Sequence, residues 1–232
     1  MKYADFFSQN LTRHEKMYGA VWMAFETLVF ARLLQLLNTL LPAPMLQSSV
    51  NALFFGVNFI VVTVLFRRYL AGQLKLIPHT IGKSIAIALV GFAVYSLASF
   101  FMLQFILAID PDFASVNDLA IRELVQEDFL LMFIGTVILV PITEECLFRG
   151  LVFRGLYDHS PWLAWVVSAV IFSAVHLVSY IGRYSLPTML LCFVQYIPAG
   201  LCLAGAYRLS GSLLSPILIH ALVNLMGMLA LR

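Results

Sequence analysis

Five side chains in the second half of this 232-residue chain carry chemistry that a hydrocarbon core tolerates only for a reason. Glu144 and Glu145 stand in Pro141-Ile142-Thr143-Glu144-Glu145-Cys146-Leu147-Phe148-Arg149-Gly150, at the end of the apolar run Phe129 to Val140. His176 follows in Phe172-Ser173-Ala174-Val175-His176, then His220 and Asn224 in His220-Ala221-Leu222-Val223-Asn224. An ionised carboxylate in lipid costs several kcal/mol, and ionisable groups inside spans usually mark function. A carboxylate and an imidazole together can take a proton from water and make it a nucleophile. An imidazole and a carboxamide one helical turn apart can donate hydrogen bonds to an oxyanion. Both halves of acyl-bond hydrolysis are therefore present.

Spacing divides the labour. Glu145 and Arg149 are i,i+4 on one helix face, so an ion pair within the helix is available to them. Glu144 is rotated by about 100° from Glu145 and faces elsewhere. If the spans carrying Glu144 and His176 fold antiparallel about the turn near Ser160, the two residues lie equally far from it. Equal rise then brings them to one level. His220 and Asn224, also i,i+4, face the same depth from the last span. Taken singly, each has a plainer reading: a membrane histidine or Asn224 as helix–helix glue, Glu145–Arg149 as a structural pair, Phe172 as packing.

The elements that must position these groups are membrane helices. The composition is 62% hydrophobic and only 11% charged, with a mean hydropathy of +0.94, far from soluble averages. The expected fold is all-α: a polytopic membrane bundle of about seven transmembrane helices plus an interfacial amphipathic helix. The spans are expected near 19–41, 50–66, 84–109, 129–157, 162–181, 187–207 and 213–231. A polar connection is expected at 67–83, and a kink at Pro198 and Gly200. Residues 113–128 alternate Asp118, Arg122, Glu123, Glu127 and Asp128 with Leu119, Ile121 and Leu124, the pattern of a helix lying at the interface. One membrane domain, 1–232, divides into N-terminal spans, 1–112, and a catalytic core, 113–232. Glu26 in the first span is free to serve another helix, and Arg32 snorkels or pairs within its helix.

A net charge of +2 with no basic stripe excludes a nucleic-acid partner. Cys146, Cys192 and Cys202 show no metal or disulfide spacing and are expected to be buried. The first eighteen residues are too polar for a cleavable signal. Lys and Arg gather on the N-terminal side: Lys2, Arg13, Lys16, Arg67, Arg68, Lys75, Lys83, Arg149, Arg154 and Arg208. Arg122, Arg183 and Arg232 fall on the other. The expectation is a cell-membrane protein with its N-terminus cytoplasmic and its site opening toward the cytoplasmic half.

Glu144-Glu145-x-x-x-Arg149, Phe172-x-x-x-His176 and His220-x-x-x-Asn224, in this order on successive late spans, resemble the CAAX protease and bacteriocin-processing family. Its members are intramembrane glutamic endopeptidases, also called Abi proteins or type II CAAX prenyl endopeptidases. The resemblance covers roughly residues 125–230. It implies that Glu144 and His176 activate water, that His220 and Asn224 form the oxyanion hole, and that Glu145 and Arg149 brace the site. It also implies a membrane-associated peptide or lipidated protein as substrate, for CAAX-like trimming, peptide maturation or bacteriocin immunity, and no cofactor. Two alternatives stand beside it. One is a zinc-dependent protease with Glu144, His176 and His220 as ligands; the other is a non-catalytic immunity or binding protein, or a transporter, built on the same polar cluster.

Overall fold

The computed structural model describes residue 7 and residues 9–231. Lys2 and Arg232, used in the charge argument, lie outside the described residues. Every regular element among them is helical: α1 (Arg13–Thr39), α2 (Gln47–Leu65), α3 (Arg67–Ile109), α4 (Val116–Glu127), α5 (Phe129–Tyr157), α6 (Pro161–Val175), α7 (Leu186–Ser210) and α8 (Leu214–Leu231). Five of these, α1, α2, α3, α5 and α7, are long and apolar enough to cross a membrane, and α6 and α8 are shorter apolar helices. The chain is a multi-pass membrane protein with an all-helical fold. α4 is the expected amphipathic helix, capped by the Ser115 hydroxyl accepting from the Asp118 amide.

Two boundaries differ from expectation. The stretch 67–83 is not a connection but the start of α3, which runs unbroken through Pro78 to Ile109. Its buried stripe is Tyr69, Gln73, Thr80, Ser84 and Ala88. In a membrane helix the buried face is the small or polar one, so polarity here marks packing rather than a loop. The carbonyl left without a donor by Pro78 belongs to Leu74, on the exposed face. At 43 residues, α3 is roughly 65 Å long, twice the hydrocarbon thickness of about 30 Å.

α6 ends at Val175 rather than Ile181. The apolar residues beyond it serve a loop instead: Leu177 is buried against Val116 and Cys192. α7 is continuous through Pro198. At Gly200 a Cβ would come within 2.7 Å of the Ala169 Cα, so this glycine sets the close α6–α7 approach. α7 closes at Gly211 in the left-handed region, φ 73°, where a side chain is disfavoured.

The end of the bundle carrying the start of α1, the α2–α3 turn and the α7–α8 turn is closed. Tyr69 and Tyr207 share a hydroxyl–hydroxyl bond of 2.8 Å. Phe7, Phe153 and Tyr207 pack edge to face and tilted around them. Gln73 accepts from the Leu213 amide at 2.9 Å, and Glu15 accepts from the Tyr69 amide at 3.0 Å. α3 and α8 are thus joined at their starts, and α1 to α3.

Candidate active site

α1 and α5 are interrupted by wider, π-helical turns: Glu26–Phe30 in α1, and Ile134–Leu139 and Cys146–Phe153 in α5. The two in α5 flank Val140–Glu145, the turn that presents both glutamates. Such turns recur at functional sites because they re-aim side chains at modest cost. The first has a local cause. The Val140 amide bonds the Gly135 carbonyl, five residues back. The next bond in that register needs a Pro141 amide hydrogen, which proline lacks. The Thr136 carbonyl is therefore orphaned, and Asn224 on α8 donates its side-chain amide to it at 2.7 Å.

The division between the two glutamates is clear in the geometry. Glu145 is fully buried, its Oε2 2.9 Å from Arg149 Nε on the next turn. Its other oxygen lies 3.0 Å from His220 Nδ1. The Arg149 guanidinium, also fully buried, lies over the Phe172 ring at 4.9 Å and near Phe148 at 5.8 Å. Arg149 is therefore part of the site, not of the basic surface on which the charge count placed it; its counter-charge is internal. Phe172 is more than packing. Its ring also meets His176 at 4.6 Å and His220 at 6.1 Å between centroids.

Glu144 faces the other way. Its side chain keeps 23% exposure, and Oε2 lies 4.0 Å from His176 Nε2 and 3.9 Å from His220 Nε2. That oxygen has no protein hydrogen-bond partner among the described residues. Both imidazoles are oriented from behind. His176 caps the end of α6, where the last carbonyls lose their helical partners, and its Nδ1 is 2.8 Å from the Phe172 carbonyl. A carbonyl only accepts, so Nδ1 carries the hydrogen, and Nε2 faces Glu144, with a lone pair there when the ring is neutral. The His176 ring also stacks on Tyr196 at 4.4 Å. His220 likewise directs Nδ1–H to Glu145. All the sequence-derived groups come together: Glu144, His176, His220 and Asn224 line one cavity, with Glu145, Arg149 and Phe172 behind.

The cavity measures about 1240 Å³ and is shared by both halves of the chain. Glu26, at the start of its π-helical turn, lines it and is buried. Asn58 of α2 donates to Glu26 Oε2 at 2.8 Å, and Trp22 Nε1 donates to the Asn58 carbonyl oxygen at 2.7 Å. No motif marks this network; only polar residues at matching depth in two spans could have pointed to it. Arg32 donates to the Leu28 carbonyl on its own helix and to the Val178 carbonyl at 3.3 Å, tying α1 to the loop after α6. In that loop Tyr180 donates to Asn117 at 3.3 Å. Burial pushes the Tyr180 phenol up to about 12, so it stays a neutral donor.

The cavity runs from Glu144 to the end of the bundle where α1 finishes, α2 begins and α4 lies. Its outer lining includes Gln35, Gln47, Asn51, Glu123 and Arg183. It does not open toward the N-terminal side as expected. The aromatic packing around Tyr69 and Tyr207 closes that end.

Comparison with known proteins agrees with the motifs. A protein of Escherichia coli described as "Uncharacterized 24.3 kDa protein" is 29% identical over 197 residues, spanning 78% of this chain and 82% of that protein. No solved structure matches. Residues 126–226, which hold α5 to most of α8 and all seven motif residues, match the family described as Type II CAAX prenyl endopeptidase Rce1-like. Through that region the chain is similar to the CAAX protease family, a family of membrane-embedded proteases.

Proposed function

We propose that the chain is an intramembrane endopeptidase that hydrolyses a peptide bond of a membrane-associated peptide or protein by a glutamate-activated water. The observation that carries this is the position of Glu144: a partly exposed carboxylate between two imidazole Nε2 atoms, at 4.0 and 3.9 Å, on the wall of a cavity. A water bonded to Glu144 and His176 Nε2 gives its proton to Glu144 as its oxygen adds to the scissile carbonyl. Glu144 then returns that proton to the nitrogen leaving group as the C–N bond breaks. When both of its nitrogens carry hydrogen, His220 donates Nε2–H to the oxyanion while Glu145 holds Nδ1–H. Asn224 has two amide hydrogens and spends one on Thr136, so the second supplies the other oxyanion donor.

The test is a mass-spectrometric comparison of membrane-associated peptides from cells carrying the chain and its Glu144→Gln variant, with both proteins quantified as folded. Products present only with Glu144 support the reading. Identical peptide profiles favour a non-catalytic immunity, binding or transport role. One observation speaks for zinc as the alternative. Both histidines hold Nδ1 against an acceptor and present Nε2, as metal-binding histidines do, with Glu144, His176 and His220 as the ligands. As placed, no three His, Cys, Asp or Glu side chains among the described residues could hold a metal ion. Metal content of the purified protein and activity under chelation separate the two chemistries.

A further inference from the structure

Two distributions of residues along the membrane normal run in opposite directions in this chain. The first is the cavity. It begins at Glu26, Asn58 and Glu144 in the middle of the bundle and reaches Gln47, Glu123 and Arg183 at one end. The second is basic charge. Arg13, Lys16, Arg67 and Arg68 at the start of α1 and the α2–α3 turn, Arg154 near the end of α5 and Arg208 near the end of α7 lie at the other end. Short loops rich in Lys and Arg stay in the cytoplasm. The cavity end carries Asp110, Asp112, Asp118, Glu123, Glu127 and Asp128 against Arg122 and Arg183.

We infer that the cavity opens on the extracytoplasmic side, so the peptide cut at Glu144 is an exported peptide or a protein segment held at the outer leaflet. This rests on the hydrolytic reading for its substrate, while the side of opening rests on charge and shape alone. Among the described residues, packing closes the cytoplasmic end. Tyr69, Phe153 and Tyr207 are fully buried there, joined by a hydroxyl bond and an edge-to-face contact, and Arg149 is fully buried against Glu145. A chain entering from the cytoplasm must part this packing. One entering from outside meets the side-chain amides of Gln35, Gln47, Asn51 and Asn117. Each offers both a donor and an acceptor to an extended peptide backbone.

The test uses the full chain in cells, with a membrane-impermeant maleimide as the probe and the parent chain, with its three free cysteines, as the blank. Asn51→Cys and Ser179→Cys line the cavity; His159→Cys, exposed in the α5–α6 turn, reports the opposite end. Asn51→Cys and Ser179→Cys are expected to label above the blank in intact cells, and His159→Cys only in inverted vesicles. The reverse pattern overturns the inference, as does labelling of every site from both sides. Cavity cysteines that label in detergent but from neither side of the membrane also overturn it. Labelling needs no activity, so external labelling without any Glu144-dependent peptide leaves the side established and defeats the protease reading alone. Where such peptides appear, their recovery outside intact cells supports an external substrate; recovery only from the cytoplasm contradicts it.

Discussion

The Asn224 amide donates to the Thr136 carbonyl at 2.7 Å, and Pro141, five residues after Thr136, is the reason that carbonyl has no backbone donor. The bond joins α8 to the turn of α5 just before Glu144. It gives Asn224 a structural duty beside its proposed catalytic one, and the two can be separated by mutation.

Asn224→Ala leaves one buried acceptor unpaired, at about 1–3 kcal/mol. It also removes one oxyanion donor, for a loss of about 10²–10³ in turnover. Pro141→Ala in the same chain restores an amide hydrogen within reach of Thr136. The double variant is expected to regain the thermal midpoint lost by Asn224→Ala but not its turnover. Thermal unfolding in detergent and the rate of peptide cleavage read the two separately. Turnover that recovers with stability would mean Asn224 acts only through packing.

Arg149 and Glu145 form a fully buried pair, and breaking such a pair strands a charge, at about 3–5 kcal/mol. Arg149→Met alone is expected to lose most of the folded protein. Glu145→Met with Arg149→Met strands no charge, so the double variant should be better folded than the single one. It should remain inactive, because His220 has lost the carboxylate on Nδ1. Detergent-stable yield and cleavage rate of the two variants beside the parent test this; a double variant no more stable than Arg149→Met shows that the pair is not energetically coupled.

His176 separates orientation from chemistry in the same way. An asparagine at 176 places an amide N–H near the position of Nδ1, so it can keep the bond to the Phe172 carbonyl while removing Nε2. His176→Asn is expected to unfold near the parent temperature and to lose about 10²–10⁴ in turnover, the range for a lost acid–base group. A variant retaining the parent rate would remove Nε2 from the mechanism.

The site was more legible than the scaffold because its geometry is local arithmetic. Glu144 and His176 are equidistant from the Ser160 turn, and i,i+4 spacing settles which of Glu144 and Glu145 reaches Arg149. The π-helical turns depend on hydrogen-bond register, which hydropathy does not report; Pro141 was the one clue. The buried stripe Tyr69-Gln73-Thr80-Ser84-Ala88 was missed because polarity in lipid marks a packed face as readily as a loop. The direction of the cavity depends on which helix ends splay and which are plugged by residues far apart in sequence, such as Tyr69 and Tyr207.

Glu26 shows what non-local partners decide. Its carboxylate accepts from Asn58, whose amide is held in orientation by Trp22, so three residues on two spans form one relay in the cavity wall. Glu26→Gln keeps an acceptor for Asn58, and the Thr27 hydroxyl, which now donates to Glu26 at 3.4 Å, can accept from the new amide instead, so it should cost little stability. Asn58→Leu strands the Trp22 N–H and the Glu26 carboxylate together, at about 1–3 kcal/mol or more for each. Trp22→Phe strands only one Asn58 acceptor and should fall between them. Thermal midpoints in one detergent give the order. If Glu26→Gln proves the most damaging of the three, the charge on Glu26 and not the relay holds α1 to α2.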